Sequence, residues 1–443
     1  MKKTHAPFCV GAADIDFTPA PGLSVMGQMY DRKGVYKHDP LMANAIAFRQ
    51  GTGTVVVVSI DICVLDEHFV RKTQQRFSRQ TGIPACKLIL HATHTHVAPG
   101  VIPLIGAPVD KGFVESLGKA IVDVASQAVA VLRPAQLYAG QGHLDHIGWN
   151  RRAMFKDGSS RMYGNSDADG FIGMEGPRDP TLGVIVARDE RGQIISVLVN
   201  ASTHPNTLEG ERFYSADIPG EVRRVLKRLL GERVVVSYMT SASGNTAPSL
   251  LYPHVPQQPW RGEAGLIRSG LYLGGETAKV IAAAINPMVS PVLKLQQTVV
   301  RIPIRPWPRR GEPHSPDGIS REWKDAYAYY QQSKKDWPRR IRTMSPLPVN
   351  VNSIRIGDAV ICTCPAEFFV EFALDIRRAS PARVTVITQL TDGYVGYVPT
   401  PKAFGRGGYE TWNAPTSQLI PEAGEQIVRA TVSQLKKLFP DKR

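Results

Sequence analysis

TVVVVSIDICVLDEHFVRKTQQRFSRQTGIPACKLILHATHTHVAPG, Thr54 to Gly100, decides the fold. It opens on an apolar run, Thr54 to Ile62, which predicts a strand buried on both faces. Glu67 to Gly82 follows with apolar residues at helical spacing and a terminal glycine, the pattern of an amphipathic helix closed by Gly82. Cys86 to Ala92 is a second apolar strand. A strand, a helix and a strand in succession predict a layered α/β fold.

The rest of the chain repeats the alternation. Strands are expected at GVIVARD, IISVLVNAS, RVVVSYMT, SIRIGDAVICT and VTVITQL. Helices are expected at FVESLGKAIVDVASQAVAVL, EVRRVLKRLLG, GGETAKVIAAAI, EFFVEFALDIRR and QIVRATVSQLKKLF. Continuously apolar strands need cover on both faces, and the helices supply it. SIRIGDAVICT reads as a hairpin around Gly357-Asp358, so the sheet is mixed and not all parallel. The expected architecture is α/β: a central mixed β-sheet flanked by helices, in one domain over residues 1–443, with the active site at strand ends. A segment rich in Pro, Arg and Trp, at about 303–348, interrupts the pattern and is expected to be an insertion or lid, with a plain linker helix as the alternative.

Composition excludes several classes. With 43% hydrophobic and 21% charged residues the chain is globular. No apolar run reaches the roughly 18 residues of a membrane span. The first residues carry two lysines but no apolar core of a signal peptide, so a cytoplasmic location is expected. Five cysteines without framework spacing fit a reducing compartment. The net charge of +14 comes with no nucleic-acid-binding motif; it suits a solvated basic surface or the steering of an anionic substrate or headgroup. The partner expected is a small molecule, an N-acyl lipid or an anionic compound, and not nucleic acid. Oligomeric state is left open.

Chemistry-bearing residues gather just after strands, where open α/β sheets place their sites. The opening stretch ends in His91, His94 and His96, three of only eleven histidines. If residues 94–96 stay extended, alternation turns His94 and His96 to one face and His91 to the other, inside. His204 follows the strand IISVLVNAS, Glu367 follows a strand and Pro365, and Tyr394 and Tyr397 sit in a Gly-rich loop followed by Tyr409. Each has a plain structural reading: a satisfied core histidine, a carboxylate at a helix start, a packing tyrosine. Together, two histidines, a carboxylate and loop tyrosines suit a borderline metal with N/O ligands, commonly Zn2+ with one position open to water. Asp61, at the end of the first strand, reads equally as a cap or as a partner that orients a ligand imidazole.

HATHTHVAPG resembles the ATHTHSGPG stretch of the neutral ceramidases, zinc hydrolases of the N-acyl bond of ceramide. The likeness continues in order: CVGAADIDFTPAPG near the start, WNRR at Trp149 to Arg152, His204 with Ser215-Ala216-Asp217, PAEF at Pro365 to Phe368, and YVGYVPT with a later YE. It covers Val10 to about Glu410. The resemblance implies zinc ligands at His94, His204, Glu367 and Tyr397. It implies that His96 and Tyr409 face the reacting carbonyl, and that Arg151 is an active-site arginine. A zinc-dependent amidohydrolase using activated water follows as the expected activity. The same centre acting on an ester, lactone, glycoside or small amide is the alternative, and a non-catalytic metal-binding or membrane-surface protein is a second. Two departures stand out. The family's GDVSPN is GNTAPS here, with Asn245 and Ala247 at the aspartate and serine positions, which leaves no serine nucleophile there. The family's C-terminal β-sandwich domain is not matched.

Overall fold

The structure, a computed structural model, describes residues 6–162, 167–249, 260–289 and 291–440. The first five residues, read above for a leader, lie outside these. The larger sheet is built of β1 (Phe8–Asp16), β2 (Met42–Gln50), β3 (Gly53–Ile60), β4 (Leu88–Ala92), β5 (Arg133–His143), β6 (Thr181–Asp189), β7 (Ile194–Ala201) and β8 (Val235–Thr240). Its eight strands run in the order β8-β7-β6-β5-β1-β2-β3-β4. The inner pairs are antiparallel, whereas β3 with β4 and β7 with β8 are parallel. The central mixed sheet expected from the sequence is present.

Four further strands form a second sheet: β9 (Leu293–Ile302), β10 (Leu347–Ile356), β11 (Ala359–Thr363) and β12 (Val384–Thr388), in that order. The hairpin at Gly357-Asp358 joins β10 to β11; Gly357 takes φ 63°, where a side chain is disfavoured. β11 and β12 are parallel.

Alternation within each strand explains the layering. In β3, Val56, Val58 and Ile60 pack with Phe69, Phe77, Leu117 and Ile121 of α1 (Glu67–Thr81) and α2 (Lys111–Ala130). Val55 and Val57 point the other way, onto Ile354, Ile361, Val384 and Val386 of the second sheet. α3 (Asp217–Leu230) and α4 (Gly262–Ala283) cover the β5–β8 half of the outer face. The second sheet's outer face packs on α6 (Val370–Ala379) and α8 (Ala423–Leu438), with Trp337 of α5 (Lys324–Met344) at its edge. The short α7 (Pro401–Arg406) leads toward Tyr409. Helices thus flank the sheets as expected. The inner face of the large sheet is covered by the second sheet, which the sequence pattern alone does not separate from the first.

The segment at about 303–348 connects β9 to β10 and includes the first two residues of β10. Its Ile319, Ala326 and Tyr330 pack against Met29, Ile105 and Ala414. Asp325 accepts the backbone N–H of Asp31 at 3.0 Å.

Candidate metal centre

Three parallel pairs point their carboxyl ends to one place. Cys63 follows β3, His94 follows β4, His204 follows β7 and Ser243 follows β8; Glu367 follows β11 and Tyr397 follows β12. Both sheets therefore contribute to a cavity of about 210 Å³ lined by all of these except Ser243.

The three histidines of the opening stretch divide at once. His91 lies on β4 between the sheets, where Nδ1 meets the Gln389 carbonyl at 2.9 Å and Nε2 accepts the Thr240 N–H at 3.0 Å. Burial lowers its pKa to about 3, so it stays neutral and structural. The residues after it do not stay extended. β4 ends at Ala92, and His94 turns the chain with φ 76°. Its N–H bonds to the Ile62 carbonyl at 2.9 Å, which holds that uncommon conformation. His94 and His96 still converge, through this turn and not through strand alternation.

His94 Nδ1 lies 2.7 Å from the Cys63 carbonyl, and His204 Nδ1 lies 3.0 Å from the Ser243 carbonyl. A carbonyl can only accept, so each Nδ1 carries a proton, and in the neutral ring each Nε2 presents a lone pair. These two Nε2 atoms are 3.1 Å apart, and Glu367 Oε2 stands 3.3 Å from that of His94. His96 Nε2 lies 3.1 Å from His204 Nε2 and 3.4 Å from His94 Nε2. Lone pairs and a carboxylate do not converge in a buried site unless a cation lies among them. The spacing suits one: tetrahedral ligands at about 2.0–2.1 Å are about 3.3 Å apart. Glu367 Oε2 has no hydrogen-bond partner among the described residues. The donor set, N/N/O with phenols nearby, fits zinc. His94, His204 and Glu367 form one possible metal-binding group; Cys63, His94 and His96 form another.

The electrostatics agree with that demand for a cation. Burial opposes charge on His94, but Cys63 and Glu367 outweigh it and raise its pKa to about 10. Burial likewise opposes ionisation of Glu367, and His94 and Tyr397 reverse it. Either a proton on His94 or a cation among these groups supplies the positive charge that the Glu367 carboxylate demands. His204 is pushed well down by burial and by Arg151.

Glu367 is not at a helix start, as the sequence suggested. Glu367 and Phe368 form a two-residue parallel bridge with Tyr397 and Val398, and α6 begins only at Val370. Its carboxylate therefore faces the cavity instead of a helix dipole. Tyr394 donates to Glu367 Oε1 at 2.9 Å. Tyr397 accepts from Arg151 at 3.1 Å, and burial and Glu367 hold its phenol well above the usual range. Tyr409 lines the same cavity, its ring 5.6 Å from that of Tyr397.

Arg151 is brought to the cavity by Glu410, which the sequence offered only as the second letter of YE. Glu410 is fully buried; it accepts from Arg151 at 2.9 Å and from Arg152 at 2.7 Å. Burial raises its pKa, but the two guanidiniums prevail and lower it. The GNTAPS stretch shapes the same corner. Ala247 pairs with Trp149 across a short antiparallel bridge, and the Asn245 carbonyl accepts the Arg151 N–H at 2.9 Å. Asn245 Oδ1 also accepts the Val370 N–H at 2.9 Å, at the start of α6. Both altered positions are thus filled by residues that hold backbone.

The remaining expected site residues have clear places. Among the described residues Asp61 bonds to no imidazole; it accepts from the Met42 N–H, Thr93 and the buried Arg223. Asp217 receives the N–H groups of Leu208 and Ile218 at 2.9 and 2.7 Å, which shapes the loop after His204. That loop carries Glu209, a cavity residue that sequence reasoning missed: one glutamate in a polar loop gives no signal.

No protein-family model matches the chain, and no curated protein does. Solved structures do. Neutral ceramidase from Pseudomonas aeruginosa superposes with a TM-score of 0.77 at 19% identity, over 98% of this chain and 74% of that one. A ceramidase complexed with C2 gives 0.78 at 17% identity, over 98% and 76%. Over nearly its whole length, then, this chain has the fold of the neutral ceramidases.

Proposed function

We propose that the chain is a zinc-dependent hydrolase that cleaves an amide (N-acyl) bond with an activated water. The observation that carries this reading is the buried convergence of His94 Nε2, His204 Nε2 and Glu367 Oε2 at the floor of a cavity. The likeness in fold to ceramidases supports the amide as the bond cleaved.

His94, His204, Glu367 and the Tyr397 hydroxyl are the residues that hold the ion. Bound there, zinc supplies a water whose pKa falls toward about 7, and hence a nucleophile at neutral pH. The chain's own residues do the rest. Tyr409 donates to the carbonyl oxygen as charge develops on it; removing one such donor typically costs about 3–4 kcal/mol of barrier. His96 carries the proton from the attacking water to the leaving nitrogen, so that a C–O bond forms as the C–N bond breaks. Arg151, fixed by Glu410, holds the Tyr397 hydroxyl and offers its planar fork to a polar part of the substrate. No serine is required, in keeping with Ala247.

The test is turnover by zinc-loaded protein on a panel of N-acyl lipids, short N-acyl amines, esters and glycosides. Cleavage of an N-acyl compound, lost in His94→Ala together with the metal, upholds the reading. Turnover confined to esters or glycosides, or undiminished after complete zinc removal, overturns it.

A further inference from the structure

We propose that Glu209 is the positioning residue for His96: its carboxylate takes the Nδ1–H of the imidazole and aims Nε2 into the cavity. The proposal rests on the hydrolase reading above, in which His96 moves a proton.

The three cavity histidines differ in what their Nδ1 atoms face. Those of His94 and His204 lie against backbone carbonyls, at 2.7 and 3.0 Å. A carbonyl fixes a neutral imidazole and leaves a plain ligand. His96 Nδ1 is buried with no hydrogen-bond partner among the described residues, and a carboxylate oxygen, Glu209 Oε2, stands 3.7 Å away. That is a little beyond hydrogen-bonding length, and such contacts are often long before substrate binds. A carboxylate differs from a carbonyl in one respect that matters: it stabilises the imidazolium as well as the neutral ring. The chain thus sets backbone carbonyls against two of the imidazoles and a carboxylate against the third.

Both partners are held for this contact. Glu209 Oε1 accepts from Arg261 at 2.7 Å and Oε2 from Asn206 at 2.9 Å. His96 and Arg261 outweigh the burial penalty and lower the Glu209 pKa to about 2, so it is a carboxylate throughout the neutral range. On the other side, Gly27 packs so close to His96 that an added Cβ would lie 2.6 Å from the His96 Cβ. Arg32 bonds to the His96 carbonyl. Backbone and Cβ are fixed, and the ring's remaining freedom is rotation toward or away from Glu209.

The experiment compares zinc-loaded wild type, Glu209→Ala, Glu209→Gln and Glu209→Asp by long-range 1H–15N correlation of the histidine rings, metal analysis and steady-state kinetics. In the wild type, His96 is expected as the Nδ1–H form with a hydrogen-bonded proton. Glu209→Ala and Glu209→Gln change that signal, leave those of His94 and His204 in place, keep the zinc, and lower kcat about 10–100-fold with little change in KM. Glu209→Asp restores part of the turnover. A His96 signal identical in wild type and Glu209→Ala overturns the proposal, as does loss of zinc in both neutral variants. A wild type that shows the contact but cleaves no N-acyl compound upholds the contact and overturns the amidase reading.

Discussion

Glu367 and Tyr397, thirty positions apart, are register partners across a parallel bridge only two residues long. The bridge sets a carboxylate and a phenol side by side on one wall, opposite the two imidazoles delivered by the large sheet. Neither residue reaches the cavity through a regular element of any length, so their placement depends on the loops after β11 and β12 docking together.

The first expectation concerns the ion. Metal analysis should give one zinc per chain, and His94→Ala or His204→Ala should each abolish it. Folding and binding are linked: at a free zinc concentration 100 times its dissociation constant the folded state gains about 2.7 kcal/mol. Chelation should accordingly lower the melting temperature of wild type but not of either variant.

His91 should behave differently from its neighbours. His91→Ala strands the buried Thr240 N–H and opens a void between the sheets. A buried donor left unsatisfied costs about 1–3 kcal/mol. Denaturant titration should show the loss while zinc content stays near one per chain.

Glu410→Gln removes the negative charge between two buried guanidiniums. Breaking a buried ion pair typically costs about 3–5 kcal/mol. The variant should be strongly destabilised in urea, and what folds should bind substrate poorly, since Arg151 is no longer anchored.

Installing the family's serine should bring no gain. Ala247 is fully buried in its bridge with Trp149, away from the cavity lining. Ala247→Ser should leave kcat within about twofold and lower stability slightly, because a hydroxyl is buried. A large rise in kcat would contradict the water-only mechanism.

His38 supplies a pH signature remote from the metal ligands. Asp39 and, less strongly, Glu263 raise its pKa from 6.5 to about 9. A histidine whose pKa is raised on folding contributes stability that is fully present below about pH 6.5 and is lost as pH climbs through 9. Denaturation curves at pH 6.5 and pH 9 should differ less in His38→Gln than in wild type.

The strand–helix–strand unit was legible because its signals are local: an apolar run, a helical repeat, Gly82 at the end. The convergence of His94, His204 and Glu367 could be anticipated because two of the three are histidines, of which the chain has eleven, and all three follow apolar strands. The division into two sheets was not, since Val57 and Val386 read alike in sequence though they enter one core from different sheets. The turn at His94 was also hidden; strand alternation gives the same convergence of His94 and His96 by another route. Glu209 and Glu410 escaped because a charged residue in a polar loop is ordinarily solvated. Only tertiary contact with His96 and with Arg151 distinguishes them.

Because the candidate donors are split between two sheets, the order of synthesis matters. A ribosome releases His94 and His204 long before Glu367 and Tyr397, so a nascent chain has imidazoles to offer but lacks the oxygen half of the cage. The full candidate donor set exists only once the growing chain has passed Tyr397.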